Sequence, residues 1–139
     1  MALKSFELIK LHEGLRLKPY KCPAGKLTIG YGLNLDGGIT KEEAEILLSY
    51  RIIEIRKKLE DLEIWIELSG VRRAVLLDMT YNLGINGLMR FKKMMAAISC
   101  RDYELAALEM KNSKWYKQVG DRSKRLCEMM KSDDWPGCL

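Results

Sequence analysis

The sequence has few of the residues that build metal sites: it contains one histidine and four cysteines in 139 residues. His12 is the only histidine, and Cys22, Cys100, Cys127 and Cys138 form no C-x-x-C pair. This composition argues against a zinc site, and we expect neither a metal nor another cofactor. Four cysteines are enough for two disulfides, but without a signal peptide we expect free thiols in a reducing cytoplasm.

Long apolar runs are also missing. No apolar run approaches the roughly 18 consecutive residues of a membrane span. Residues 1–20 also lack the cationic start and apolar block of a cleavable signal. We therefore expect no stable membrane insertion and no conventional secretion. Hydrophobic residues still make up 47% of the chain, which is too many for a disordered protein. At this length the sequence predicts one globular domain, and we expect a monomer.

Positive charge is in excess. The chain has 24 Lys and Arg against 19 Asp and Glu, a formal net charge of +5. Such a balance favours an anionic partner, and nucleic acid, acidic lipid and acidic cell wall all qualify.

The first forty residues change from a helical to an extended pattern. Ser5 can cap a short amphipathic helix that Gly14 ends, which places Glu13 at the helix C-terminus. Two extended runs follow, at residues 17–21 and 27–31, and the Pro and Gly between them indicate a turn. The sequence therefore predicts a small β-hairpin directly after Glu13.

The rest of the chain is predicted to be helical. Thr40 and Glu43 form a capping box that opens a long helix reaching about Glu60. Further helices are expected at 71–83, 87–99, 102–112, around Trp115 and at 121–131, with breaks at Gly84, Gly87 and Gly120.

These elements predict an α+β, mostly helical fold with two lobes. We expect a single domain, 1–139, in which residues 13–60 form the β-hairpin lobe and the long inter-lobe helix. Residues 1–12 and 61–139 are expected to form the helical lobe. Two lobes imply a cleft between them, where ligand sites are common.

Glu13 is the first candidate for chemistry. A helix C-terminus disfavours an additional negative charge, so a partly buried carboxyl there tends toward a raised pKa, which suits a general acid. The alternative is a solvated glutamate at a frayed helix end.

Residues 12–20 (HEGLRLKPY) and 27–32 (LTIGYG) resemble the signature of the phage-type lysozymes, or endolysins, of glycoside hydrolase family 24. That family has a catalytic Glu, then after eight residues an Asp or Cys, and after five more a Thr. These positions are Glu13, Cys22 and Thr28 here. The similarity extends over almost the whole chain, through residues 38–45, 81–84, 87–91, 113–118 and 122–125.

The resemblance implies a two-lobed lysozyme-like fold that hydrolyses the β-1,4 bond between N-acetylmuramic acid and N-acetylglucosamine in bacterial peptidoglycan. Glu13 would protonate the leaving oxygen, while Cys22 and Thr28 would hold or activate water on the opposite face of the sugar, as in inverting glycosidases. Arg122 would pair with the Glu13 carboxylate. Asn82 and Gln118 would bind sugar hydroxyls and N-acetyl groups, or else cap helix ends.

Cys22 is the weakest of these assignments. An ordinary thiol, with a pKa of about 8.5, is mostly protonated at neutral pH and is a poor general base. Lys21 and Lys26 nearby could lower its pKa; otherwise Cys22 is a turn residue without chemistry. A second departure is Leu33, where the family usually has His.

Three other functions stay open. A lytic transglycosylase needs only Glu13 as acid, because the muramic 6-hydroxyl replaces water. The chain could also be a catalytically inactive peptidoglycan-binding module. A nucleic-acid binder is disfavoured because no DNA-reading motif is present, so we expect no nucleic-acid partner. The resemblance implies synthesis in the host cytoplasm and action on the periplasmic cell wall after release.

Overall fold

The computed structural model describes residues 2–139 and has the α+β, mostly helical fold predicted from the sequence. Within these residues a three-stranded antiparallel sheet, in the order β1-β2-β3, accompanies seven α-helices. The strands are β1 Arg16–Lys21, β2 Leu27–Gly30 and β3 Leu33–Asn34. The helices are α1 Ala2–Glu13, α2 Lys41–Glu60, α3 Gly70–Met89, α4 Lys92–Ser99, α5 Tyr103–Lys111, α6 Lys114–Val119 and α7 Asp121–Ser132. None of the described helices is both long and apolar enough to span a membrane.

The chain divides into two compact units. Unit 1 ends at Leu47 and contains α1 and the sheet, and unit 2 is Leu48–Leu139. The boundary falls inside α2, so this helix contributes residues to both units. The predicted grouping of residues 1–12 with the helical lobe stays a prediction.

Helix α1 ends where the sequence predicts. The Gly14 N–H donates to the Lys10 carbonyl at 3.0 Å, and the positive φ of Gly14, +67°, ends the helix without a steric penalty. Glu13 is therefore the last residue of α1. The predicted cap at Ser5 is wrong, because α1 already begins at Ala2 and Ser5 lies inside it.

The predicted hairpin is present, and a third strand extends it. Tyr20 lies opposite Thr28 in the β1–β2 ladder. β2 ends at Gly30, one residue earlier than predicted, and β3 then pairs with β2. With only two residues, β3 is too short to show a strand periodicity in the sequence.

The predicted capping box at the start of α2 is confirmed. The Thr40 N–H donates to Glu43 Oε2 at 2.7 Å, and the Glu43 N–H donates to Thr40 Oγ1 at 3.1 Å. The two bonds satisfy N–H groups that the first helical turn leaves without partners, and α2 ends at Glu60 as expected.

Unit 2 follows the predicted helices except between residues 84 and 92. Gly84 breaks the helical conformation as predicted, with φ +74° and ψ 163°. Gly87, however, lies inside α3, and the interruption comes at Arg90 and Phe91, so the single helix expected over 87–99 is wrong. The Phe91 ring contacts Trp115 edge-on, with ring centroids 5.9 Å apart.

The core of unit 2 is built from aliphatic side chains and methionines. Leu59, Val75, Leu76 and Leu88 are fully buried. Five of the eight methionines are also buried and fill the core as flexible apolar side chains: Met79, Met94, Met110, Met129 and Met130.

Arg72 fastens the start of α3 to the end of α7. Its Nε donates to the Met130 carbonyl at 2.9 Å and its Nη2 to the Lys131 carbonyl at 3.3 Å, both in the last turn of α7. Nη1 lies 3.3 Å from Asp133 Oδ2, and the guanidinium stacks on Tyr103 at 3.6 Å. The last carbonyls of a helix lack hydrogen-bond donors within the helix, and Arg72 donates to two of them in α7.

We expect Arg72→Met to lower the free energy of unfolding by about 2 to 3 kcal/mol, because two carbonyls at the end of α7 and the Asp133 carboxylate lose their partly buried cationic partner. The measurement is urea denaturation followed by circular dichroism. Arg56→Met is the matched control, since the exposed Arg56 pairs with Glu60 one turn away on its own helix, and we expect it to cost about 0.5 kcal/mol or less. Equal effects of the two substitutions would show that Arg72 does not hold α7.

Candidate active site

Glu13 lies at the C-terminus of α1 with its carboxylate against the backbone of Gly32. A Cβ built on Gly32 would come within 2.9 Å of Glu13 Cδ, and closer still to Oε2. The side chain is exposed, so the expectation of partial burial is wrong for this structure. The carboxylate is accessible to a large substrate while one side of it rests on main chain.

Cys22 lies in the turn that joins β1 to β2. Its N–H donates to the Lys26 carbonyl at 2.9 Å, and its own carbonyl accepts from the Gly25 N–H at 2.8 Å. Gly25 has a φ of +77°, a conformation that glycine adopts without strain. This closed turn holds the half-buried Cys22 side chain near Lys26 and Thr28.

The surroundings of Cys22 favour its thiolate. A hydrogen bond from the Lys26 backbone N–H is the largest effect and lowers the pKa of the Cys22 thiol below its ordinary value. Desolvation opposes this shift, while the Ala24 N–H, the Thr28 hydroxyl and the Lys26 charge add to it. The sequence suggested the Lys26 charge, but the main cause is a backbone N–H that only the folded turn brings to the sulfur.

Thr28 is buried and its hydroxyl lies between two acceptors. Oγ1 donates to the Lys26 carbonyl at 3.0 Å and is also within hydrogen-bonding reach of the Cys22 sulfur. A hydroxyl has one proton and two lone pairs, so Thr28 is able to accept from a water while its proton stays with a protein acceptor. The structure thus brings together Cys22 and Thr28, as the family pattern implies.

Arg122 has a carboxylate partner within unit 2. Its Nε donates to Asp78 Oδ1 at 2.7 Å and its Nη2 to the Asp78 carbonyl at 3.3 Å. The sequence did not single out Asp78, since an acidic residue inside a helix gives no local signal of a partner 44 residues away. The pairing of Arg122 with Glu13 stays a prediction.

Asn82 and Gln118 both lie near Trp115. Asn82 Oδ1 accepts from the Trp115 indole N–H at 2.9 Å, so Asn82 orients a buried aromatic ring rather than capping a helix end. Gln118 is exposed and lines the same cavity as Trp115. Binding of sugars by these amides stays a prediction.

That cavity, of about 630 Å³, lies entirely within unit 2. Phe91, Met94 and Trp115 line its apolar part. Four basic residues and one acidic residue also line it: Arg90, Lys92, Lys93, Lys114 and Glu109. The sequence showed the general excess of positive charge, but not that four cations surround one aromatic cavity.

Comparison of the sequence with models of known protein families identifies the class to which this fold and site belong. The model of the phage lysozyme family matches residues 10–131, and the chain belongs to this family. It is therefore a peptidoglycan-lytic enzyme of the hydrolase class.

Several individual proteins are similar to this chain in sequence. The chain is 33% identical over 118 residues to an endolysin of Acyrthosiphon pisum secondary endosymbiont phage 1, covering 82% of this chain and 78% of the relative. It is 26% identical to probable T4-type lysozyme 1 of Dictyostelium discoideum, covering 91% and 92%. It is 25% identical to the pre-baseplate central spike protein Gp5 of Enterobacteria phage T4, covering 86% of this chain and 26% of that protein.

Proposed function

We propose that the chain is a muramidase that hydrolyses the β-1,4 bond between N-acetylmuramic acid and N-acetylglucosamine, with inversion at the anomeric carbon. The observation that carries this proposal is the paired Cys22 and Thr28, in the same unit as an exposed Glu13. A thiol with a lowered pKa next to a hydroxyl is suited to hold and deprotonate a water, whereas a transglycosylase has no need of such a group.

In the proposed reaction Glu13 donates its proton to the glycosidic oxygen as the bond from C1 to that oxygen breaks. A water held by Thr28 attacks C1 from the opposite face, and its proton passes to the Cys22 thiolate. The products are a reducing muramic acid end, a free 4-hydroxyl, a Glu13 carboxylate and a Cys22 thiol. Proton exchange with solvent restores both groups, and the carboxylate and sulfur act on opposite faces of one sugar.

Gln118 and the basic residues beside Trp115 are proposed to bind the substrate in unit 2. An amide suits the N-acetyl and hydroxyl groups of the glycan, and the cations suit the carboxylates of peptidoglycan. We place the action of the enzyme on the periplasmic cell wall, reached after synthesis in the host cytoplasm.

Product analysis tests the proposal. Purified peptidoglycan is digested in water enriched in ¹⁸O and the muropeptides are analysed by mass spectrometry. We expect reducing muramic acid ends that carry one ¹⁸O, and an initial α-anomer by NMR. Glu13→Gln protein prepared in parallel excludes contaminating host enzymes. Ends in 1,6-anhydromuramic acid, which lack the added water, would instead establish a lytic transglycosylase.

A further inference from the structure

Gly30 is the last residue of β2 and Gly32 lies in the loop that follows, and an added Cβ would meet Glu13 only at Gly32. Gly30 and Gly32 both have left-handed backbone conformations, with φ of +67° and +78°. A Cβ added to Gly30 would meet no atom within 4 Å. A Cβ added to Gly32 would lie 3.5 Å from Glu13 Cγ and 2.9 Å from Glu13 Cδ.

The space beside the Gly32 Cα is thus occupied by the Glu13 carboxylate. Real Cβ atoms do not approach a carboxyl carbon this closely, so any side chain at position 32 displaces the carboxylate. Glu13 is exposed, and its carboxylate is the free end of a flexible side chain, so this displacement costs little folding free energy. The effect is on where the carboxylate lies, much more than on stability.

The loop is held against the helix that carries Glu13. The Lys10 ammonium lies 5.7 Å from the Tyr31 ring centroid and 5.3 Å from that of Phe6. Lys10 also pairs with Glu7 at 3.3 Å. Because Tyr31 is the residue between the two glycines, this contact brings the Gly32 segment close to the last turn of α1.

We propose that Gly32 is a positioning residue for Glu13. Because Gly32 has no side chain, it leaves a space beside its Cα, here called the seat, in which the Glu13 carboxylate is held for proton donation. This inference rests on the proposed role of Glu13 as general acid. A misplacement of about 1 Å in a reacting group is able to cost about a hundredfold in rate. The seat therefore contributes to kcat and not to substrate affinity.

The test compares Gly32→Ala with Gly30→Ala. Both substitutions put a Cβ on a left-handed residue and should lower Tm by similar amounts, but only the Cβ added at position 32 reaches Glu13. We expect Gly32→Ala to lower kcat by about a hundredfold with KM nearly unchanged, and Gly30→Ala to stay within about threefold of the unsubstituted protein. Equal losses of kcat in the two variants would overturn the proposal, because backbone strain would then explain both.

A second readout does not depend on activity. In protein labelled with ¹³C at glutamate carboxyls, the Glu13 signal is assigned by its absence from Glu13→Gln. We expect Gly32→Ala to change its chemical shift, and Gly30→Ala to leave that shift in place. An unchanged Glu13 signal in Gly32→Ala would overturn the proposed seat. Full activity of Glu13→Gln would instead refute the proposed function, while the NMR comparison would still report on the seat.

Discussion

Glu13→Gln is expected to abolish most of the lytic activity, lowering the rate by about a hundredfold to ten-thousandfold. The amide keeps the shape of the side chain and its place against Gly32, but it has no proton to donate to the leaving oxygen. The side chain is exposed, so the substitution should leave the fold intact. The measurement is the loss of turbidity of Gram-negative cells whose outer membranes have been permeabilised.

Glu7→Gln is the matched control on the same helix. Glu7 is exposed and pairs with Lys10, an interaction worth at most about 1 kcal/mol in stability, and it has no proposed role in the reaction. We expect this variant to clear cells at the rate of the unsubstituted protein. If Glu13→Gln clears cells within about threefold of that rate, Glu13 is not the general acid. Loss of a general acid lowers a rate by about a hundredfold or more.

Substitutions of Cys22 should show whether it acts as the general base or is only a turn residue. We expect Cys22→Asp to retain lysis, because a carboxylate is ionised throughout the neutral range. Cys22→Ser should lose about a hundredfold or more, because a hydroxyl has almost no basicity. The two hydrogen bonds that close the turn use the N–H and the carbonyl of Cys22, which every substitution keeps, so we expect the variants to fold alike. Full activity of Cys22→Ala would remove Cys22 from the mechanism.

The pH dependence of the lytic rate should also change when Cys22 is substituted. The thiolate is the active form of the base, so the rate rises with pH through the Cys22 pKa, which is lowered from its ordinary value. In Cys22→Asp this limb should move to still lower pH, because the ordinary pKa of a carboxyl is well below that of a thiol. An identical limb in both proteins would assign it to another group.

Alkylation gives an independent check on Cys22. The exposed Cys100 and Cys138 are first replaced by serine, which leaves Cys22 and Cys127. Burial raises the pKa of Cys127 to about 11, so at a pH of about 8 iodoacetamide should react with Cys22 first. We expect lysis to disappear as Cys22 is modified, since the added group fills the place of the water.

The sequence by itself determined the elements that local chemistry controls. Gly14 ends α1 and leaves Glu13 at its C-terminus, because only glycine adopts the required left-handed conformation without strain. Thr40 and Glu43 start α2 through bonds three residues apart. The family pattern then supplied Glu13, Cys22 and Thr28 as a set, and in the structure the Thr28 hydroxyl is close enough to the Cys22 thiol to help lower its pKa.

Only the tertiary structure decided which groups surround these residues. The Lys26 N–H reaches the Cys22 sulfur because the turn closes, and Gly32 receives the Glu13 carboxylate because the loop packs on α1. Asp78 meets Arg122 across 44 positions of sequence. Such contacts depend on how distant segments pack, and neither residue type nor periodicity encodes the partner. The candidate residues were readable from the sequence, whereas the contacts that surround them arise from packing.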